Sequence, residues 1–276
     1  MTTIHGMTAA TALALLAALA AIPAHADDAY LSPTNERVRI SLGAMHVSNA
    51  TTLRSDSTSG VPGTTVNGER DFGLDASDFE PKFQAMVRVA KRQRLSFDYF
   101  TLDRSGNTTL TGAPILFRDV TLLPGDPVQT KLSLRSLGIT YGYSFWHTET
   151  LEIAATLGVH VTDVSAEARV QTSARHIIQA EDEAGPIPAL GIDATWVVSK
   201  RFYVDGRAQY LKVNLSSLDG TLGVFELDVL YRYRPNVSFA VGYSDFSANI
   251  TSTKGSKSGL FDFSAKGPEM FFRIAF

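Results

Sequence analysis

The chain ends in Gly267-Pro268-Glu269-Met270-Phe271-Phe272-Arg273-Ile274-Ala275-Phe276. From Met270 one parity reads Met270, Phe272, Ile274, Phe276, and the other reads Phe271, Arg273, Ala275. Side chains two apart share one face of a strand, so a large apolar face runs to the last carboxylate. Chain termini ordinarily lie in water and fray. An amphipathic strand that stays greasy to its final residue points instead to a closing strand with oil against its apolar face.

Working back from this strand, the same period of two recurs. Val38, Ile40, Leu42 and Ala44 alternate with Arg39, Ser41 and Gly43. Similar runs cover Phe83 to Val89, Leu95 to Tyr99, Leu137 to Phe145, and Leu151 to Val161. Leu190 to Trp196, Phe202 to Tyr210, Phe225 to Tyr233, and Val237 to Tyr243 complete the set. Tight turns at Lys91-Arg92-Gln93, His147–Thr150, Ser199-Lys200-Arg201 and Arg234-Pro235-Asn236 alternate with polar loops at 50–80, 104–130, 171–186, 216–220 and 247–259. The expected class is all-β: a transmembrane antiparallel up-and-down β-barrel of about ten strands, with long extracellular loops and short periplasmic turns. Twelve strands is an alternative, because Pro114-Ile115-Leu116-Phe117 and Val120-Thr121-Leu122-Leu123 form a possible extra hairpin, and eight is another.

Composition narrows the function. Ala9 to Ile22 is an apolar run without Lys or Arg before it, followed by Pro23-Ala24-His25-Ala26. It reads as a cleaved secretory signal over 1–26, too short for a spanning helix, leaving 27–276 as one barrel domain. Asp27 to Asn35 is a polar lead-in, expected to be too small for a plug. There is no Cys, hence no disulfide, thiolate nucleophile or thiolate-held metal. Twenty-five basic against 28 acidic side chains argue against a nucleic-acid partner. No metal or cofactor is expected.

Alternation alone does not say which face is wet, since a soluble barrel also alternates. Here the polar parity is filled mid-strand with Gly, Ser, Thr and Ala, which suit a narrow lumen. Its charges are Arg88, Asp98, Glu152, Asp193, Asp205, Arg207, Glu226, Asp228, Arg232 and Arg273, which can pair inside a tube. On the apolar parity, Phe145, Trp196, Phe202, Tyr233 and Phe276 collect beside the short turns, as a membrane-interface girdle would.

With the strands placed, the chain resembles the small OmpA- and OmpW-like outer-membrane barrels over 27–276. In such barrels the terminal aromatic, with apolar residues two and four before it, is read by the barrel-assembly machinery. The resemblance assigns that signal to Phe272, Ile274 and Phe276. It implies an outer-membrane location and a monomer among lipid and lipopolysaccharide, with a structural, interaction or narrow-pore role.

The sharpest local motif is His46-Val47-Ser48-Asn49, which is similar to runs in outer-membrane phospholipase A and the lipid A 3-O-deacylases. By that resemblance His46 is general base, Ser48 nucleophile and Asn49 an accessory, in a membrane-face acyl hydrolase. Their strand-end position and the absence of an orienting acid make an ordinary polar strand end the expected outcome. Ten strands also suggest the omptin proteases, but no Asp-x-His spacing occurs. Asp71, Asp75, Asp78, Glu80 and Glu181-Asp182-Glu183 fit no Ca²⁺-loop spacing and read as solvated loops. His160 reads as a hydrogen-bonded lumen residue. Arg104, Lys131, Arg135, Lys212, Lys254 and Lys257 are expected to ring the outer end, where they would meet lipopolysaccharide phosphates.

Overall fold

The computed structural model describes residues 31–171, 176–215, 218–253 and 258–276, with backbone alone at 171, 176–185, 213–215 and 218. The expected signal segment, and Lys254 and Lys257, lie outside these residues. Ten long strands run up and down: β1 (Val38–Ser55), β2 (Ser77–Ala90), β3 (Gln93–Thr109), β4 (Pro127–His147) and β5 (Leu151–Gln171). They continue as β6 (His176–Val197), β7 (Phe202–Leu215), β8 (Leu218–Arg234), β9 (Val237–Ser252) and β10 (Gly259–Ala275). Each pairs antiparallel with its sequence neighbours, and β10 returns to β1 from Arg39↔Ala275 to Ser55↔Gly259, so the sheet closes. The last residue takes part. Phe276 O accepts from the amides of Arg37 at 2.6 Å and Val38 at 3.0 Å, and Phe276 N donates to Val38 O at 2.9 Å.

The parity read from the sequence holds around the wall. Leu42, Val241 and Met270 are 61%, 62% and 64% exposed, while Ser41, Thr140, Ser144 and Leu230 are buried. A ring of large apolar side chains this extensive far exceeds the patches that soluble proteins leave in water. The barrel is therefore inside-out, with apolar groups outside and polar groups within. Phe145, Trp196, Phe202, Tyr233 and Phe276 all lie exposed on the outer wall beside the short turns. Trp146 joins them, because a register shift between Ser144 and Trp146 turns two successive aromatics outward.

The short turns are built locally. Thr148 Oγ1 accepts the Leu151 amide at 3.0 Å, and Ser199 Oγ accepts the Phe202 amide at 3.0 Å. Opposite them, the loops are shorter than the sequence pattern implies. β3 runs to Thr109 and β4 starts at Pro127, and β5 and β6 extend to Gln171 and from His176. Beyond the apolar belt the outer face turns polar and the apolar groups shift to the inner face, as at Val128, Leu132 and Leu134, so the outward apolar parity ends although the ladder continues. Glu181-Asp182-Glu183 accordingly lie on β6, opposite Ala166, Ser165 and Val164, not in a loop. Ile115–Phe117 and Val120–Leu122 do pair, but as a separate two-stranded sheet, so the barrel stays at ten strands.

The lead-in also departs from expectation. Ser32, Thr34 and Glu36 are buried under the short-turn end of the barrel. Ser32 Oγ donates to Glu149 O at 2.5 Å, Arg232 Nη1 donates to Leu31 O at 2.7 Å, and Arg39 donates to Pro33 O. Lumen arginines supply donors that a short polar segment satisfies with its carbonyls. The segment is thus a plug despite its length.

Placing a charge on the outer belt tests this orientation. Val229→Arg on β8 is expected to lower the free energy of folding into lipid vesicles by about 2–4 kcal/mol, as read by urea titration. A cost near zero would place that face in water.

Candidate functional site

The outer-wall motif does not assemble. His46 and Ser48 follow the parity of Leu42 and Ala44 and face outward, as the spacing implies. His46 packs edge-on against Phe79 with ring centroids 4.8 Å apart, and among the described residues it has no hydrogen-bond or ion partner. Asn49 faces the opposite way, buried in the lumen with both side-chain polar atoms unpartnered among the described residues. A strand cannot direct side chains one residue apart to the same face, so Asn49 is not placed to orient His46.

The lumen does assemble, as two stacked networks of ion pairs, linked where Arg88 Nε donates to Glu36 O at 3.1 Å. At the short-turn end, Arg39 Nε lies 2.6 Å from Glu36 Oε2, Arg232 Nη2 lies 3.4 Å from Glu36 Oε1, and Arg273 pairs with Asp205. Arg273 also stacks over Phe271 at 5.2 Å, and Arg232 over Tyr203 at 5.7 Å. Next, Glu152 accepts from Arg88 at 2.7 and 2.9 Å and meets Arg94 at 3.0 Å. Arg94 and Arg207 both reach Asp193 at 3.3 Å, and Arg207 lies 3.7 Å from Asp98 and 3.9 Å from Glu226. Lys82 then joins Glu226 and Glu269, at 2.6 Å each. Asp228 sits beside this cluster.

All ten charges expected in the lumen are therefore there. Five partners escaped the sequence reading: Glu36, Arg39, Lys82, Arg94 and Glu269. Parity places the last four inward, on β1, β2, β3 and β10. Small lumen residues make the ladder possible. A Cβ on Gly138 or Gly242 would lie 2.2 Å from Asp98 Oδ2 or 1.9 Å from Asp228 Oδ1.

Above the charges the filling becomes apolar. Met45, Val47, Leu102, Leu134, Phe263 and Ala265 form one buried cluster, with Phe100, Phe246 and Phe261 against it. His160 lies at the junction, with Nε2 3.0 Å from Gln209 Oε1 and Nδ1 3.6 Å from Asp98, a hydrogen-bonded lumen residue as expected. Small cavities lie in this filling, one of about 70 Å³ among the arginines and acids and one of about 50 Å³ beside Phe100, His160 and Gln209.

Over this layer the first two loops fold inward. Val66, Phe72, Leu110, Ile115, Phe117 and Leu122 pack on Val128, Ala168 and Val170 of β4 and β5. A one-turn helix, Gly68–Phe72, is capped by Asn67 Oδ1 and ends in Gly73 with φ 66°, left-handed backbone that favours glycine. Arg104, expected on the outer ring, instead points into this cap. It donates to Thr51 Oγ1 at 2.7 Å, Glu69 Oε1 at 2.6 Å and Asp75 O. Glu80, expected in a solvated loop, is buried on β2. Asp56 ties the cap to the start of β10 through Ser258 Oγ at 2.7 Å. Burial raises its carboxyl, but hydrogen bonds from Ser258, the Gly63 amide and Arg54 outweigh that and hold it below the usual carboxylate range. Lys131, Arg135 and Lys212 do stand exposed on the outer wall.

No family model matches the chain, and no curated protein matches it. Among solved structures, the outer membrane protease OmpT from Escherichia coli superimposes with a TM-score of 0.55 at 10% identity, covering 91% of this chain and 100% of that one. The Yersinia pestis attachment invasion locus protein Ail gives 0.36 at 10% identity, over 86% and 99%. Neisserial surface protein A gives 0.32 at 13% identity, over 87% and 97%. The likeness to OmpT is one of fold: an outer-membrane β-barrel.

The ladder gives a mutational expectation. Lys82→Met leaves Glu226 and Glu269 buried without their shared cation, and breaking a buried pair from one side costs about 3–5 kcal/mol. Removing one acid as well, in Lys82→Met with Glu226→Gln, should recover part of the loss. Unfolding of vesicle-inserted protein in urea measures both; equal stability of native and Lys82→Met protein would contradict the pairing.

Proposed function

We propose that the protein is an integral outer-membrane barrel of structural or interaction type, closed to ion flow, that presents its two-loop cap to the cell exterior. The observation that carries this reading is the filled lumen. The lead-in covers one end, paired charges fill the lower half, an apolar layer crosses above them, and the loops cover the top. Eight strands leave room for side chains only and sixteen or more leave an aqueous channel, so ten with long charged side chains lies at the closed end. A hydrated ion crossing here would have to break several buried ion pairs and then pass an apolar layer.

The remaining features fit this setting. Phe272, Ile274 and Phe276 lie on the outer wall of the closing strand, where the assembly machinery would meet them before closure. Lys131, Arg135 and Lys212 stand above the apolar belt, suited to lipopolysaccharide phosphates. The leader at 1–26 would route the chain out of the cytoplasm, and a closed barrel needs no second copy.

Two measurements test the proposal. In planar bilayers the purified protein is expected to give no discrete conductance steps, whereas stable steps abolished by Arg207→Ala would establish a pore through the ladder. Because the chain lacks Cys, single cysteines at Ser59 in the cap and Lys200 in a short turn report orientation. A membrane-impermeant maleimide on intact cells should label Ser59→Cys and spare Lys200→Cys; the reverse pattern would invert the barrel.

A further inference from the structure

Two ladders in the wall stop short: that of β2 with β3 ends at Lys82↔Phe100, although β2 starts at Ser77 and β3 runs to Thr109, and the other lies between β6 and β7. β6 pairs with β5 along its whole length, from Leu151↔Trp196 to Gln171↔His176, but with β7 only from Tyr203↔Val197 to Tyr210↔Leu190. Beyond that point β7 still pairs with β8 as far as Leu215↔Leu218. Among the described residues, nothing bridges β6 and β7 past Leu190.

The sequence supplies the cause. Val197 N donates to Thr150 O at 2.8 Å, so the odd-numbered amides of β6 point toward β5. Its register with β5 is unbroken, and the even-numbered amides therefore point toward β7. Pro186 and Pro188 are both even. Carried two residues further, the β6–β7 register would set Pro188 opposite Lys212 and require an N–H that proline does not have. The ladder to β5 loses nothing, and the ladder to β7 ends.

The side chains around this seam describe what it faces. Leu190 and Tyr210, at the last paired position, point outward and are 57% and 60% exposed, so the seam begins at the upper margin of the apolar belt. Ile187 and Leu211 point inward yet stay half-exposed, whereas Ala189 and Leu222 just behind them are 0% and 1% exposed. Behind lies an apolar layer of Ala189, Leu222, Ala248 and Phe246. Lys212 stands exposed on the outer lip.

We propose that the seam between β6 and β7 is a lateral binding site for the acyl chain of a membrane lipid, the chain lying against Ile187 and Leu211 and an anionic headgroup meeting Lys212. The site opens where hydrocarbon ends, its lining is apolar, and its cation sits at headgroup height. A peptide strand is the wrong occupant, because a strand docks through alternating donors and acceptors and proline removes the donors at 186 and 188. The site is separate from the ion ladder and does not depend on whether the barrel conducts.

Photolabelling tests the site directly. The native protein is placed in vesicles of phosphatidylethanolamine and phosphatidylglycerol that contain phosphatidylglycerol with a diazirine in its acyl chain, and adducts are mapped by mass spectrometry. Adducts are expected on inward-facing Ile187 and Leu211 as well as on outward-facing Leu190 and Tyr210. In Pro186→Val with Pro188→Val, which restores both N–H donors, the inward adducts should fall severalfold while the outward ones persist and show that the barrel is inserted. Native protein without inward adducts would overturn the proposal, whether or not the double variant folds. So would inward adducts unchanged in a folded double variant, or inward labelling by a water-soluble diazirine in preference to the lipid.

Discussion

Hydrocarbon holds no water to satisfy a backbone amide or carbonyl, and each one left unpaired there costs several kcal/mol. Closure of β10 onto β1 answers this constraint, and much else in the molecule follows from it. The strands must tilt and pair all round, so their side chains divide strictly into an outer and an inner set. The outer set meets lipid and is apolar. The inner set inherits a space too narrow for bulk water, and must then satisfy its own polar groups. The interrupted ladder between β6 and β7 falls where the apolar belt ends and where the environment again tolerates unpaired backbone.

The inner set meets its obligation by charge pairing. A buried ion pair is weak evidence for stability, since desolvation offsets most of the attraction. Its value here is in shape. Arginine forks such as Arg88 on Glu152 hold β2 and β5 at fixed separation, and the ion pairs from Glu36 to Lys82 leave only small cavities in the lower barrel. The apolar layer and the two-loop cap continue the filling upward, using Arg104 where an outward position would have served a different purpose.

Much of this architecture was legible. The period of two from Val38 to Phe276 placed the strands, and tight turns such as Ser199-Lys200-Arg201 set the up-and-down order. Parity also separated Phe272 from Arg273. The pattern failed where its physical basis fails. Above the belt the outer face is polar and the apolar residues, such as Val128 and Leu132, face inward, so the outward apolar parity is lost and the ends of β3 to β6 read as loops. At Trp146 a register shift breaks the alternation. The lead-in carries no periodicity at all, and its role as a plug depends on Arg39 and Arg232, brought to it only by closure. His46 and Ser48 were placed correctly on the outer face, but no local pattern shows that Asn49 faces away from them. The seam was written in the sequence as Pro186-Ile187-Pro188, yet its meaning needed the direction of the Val197 amide.

The claim beneath everything is that one face of each strand touches lipid and the other touches the protein's own packed interior. A spin-label scan along β8, from Phe225 to Arg232 in vesicles, examines it position by position. The account predicts a period of two, with Phe225, Leu227, Val229 and Tyr231 relaxed by oxygen dissolved in the hydrocarbon. Glu226, Asp228, Leu230 and Arg232 should be shielded from both oxygen and a water-soluble relaxant. Relaxation without that alternation, or with Glu226 and Asp228 on the lipid side, would contradict it.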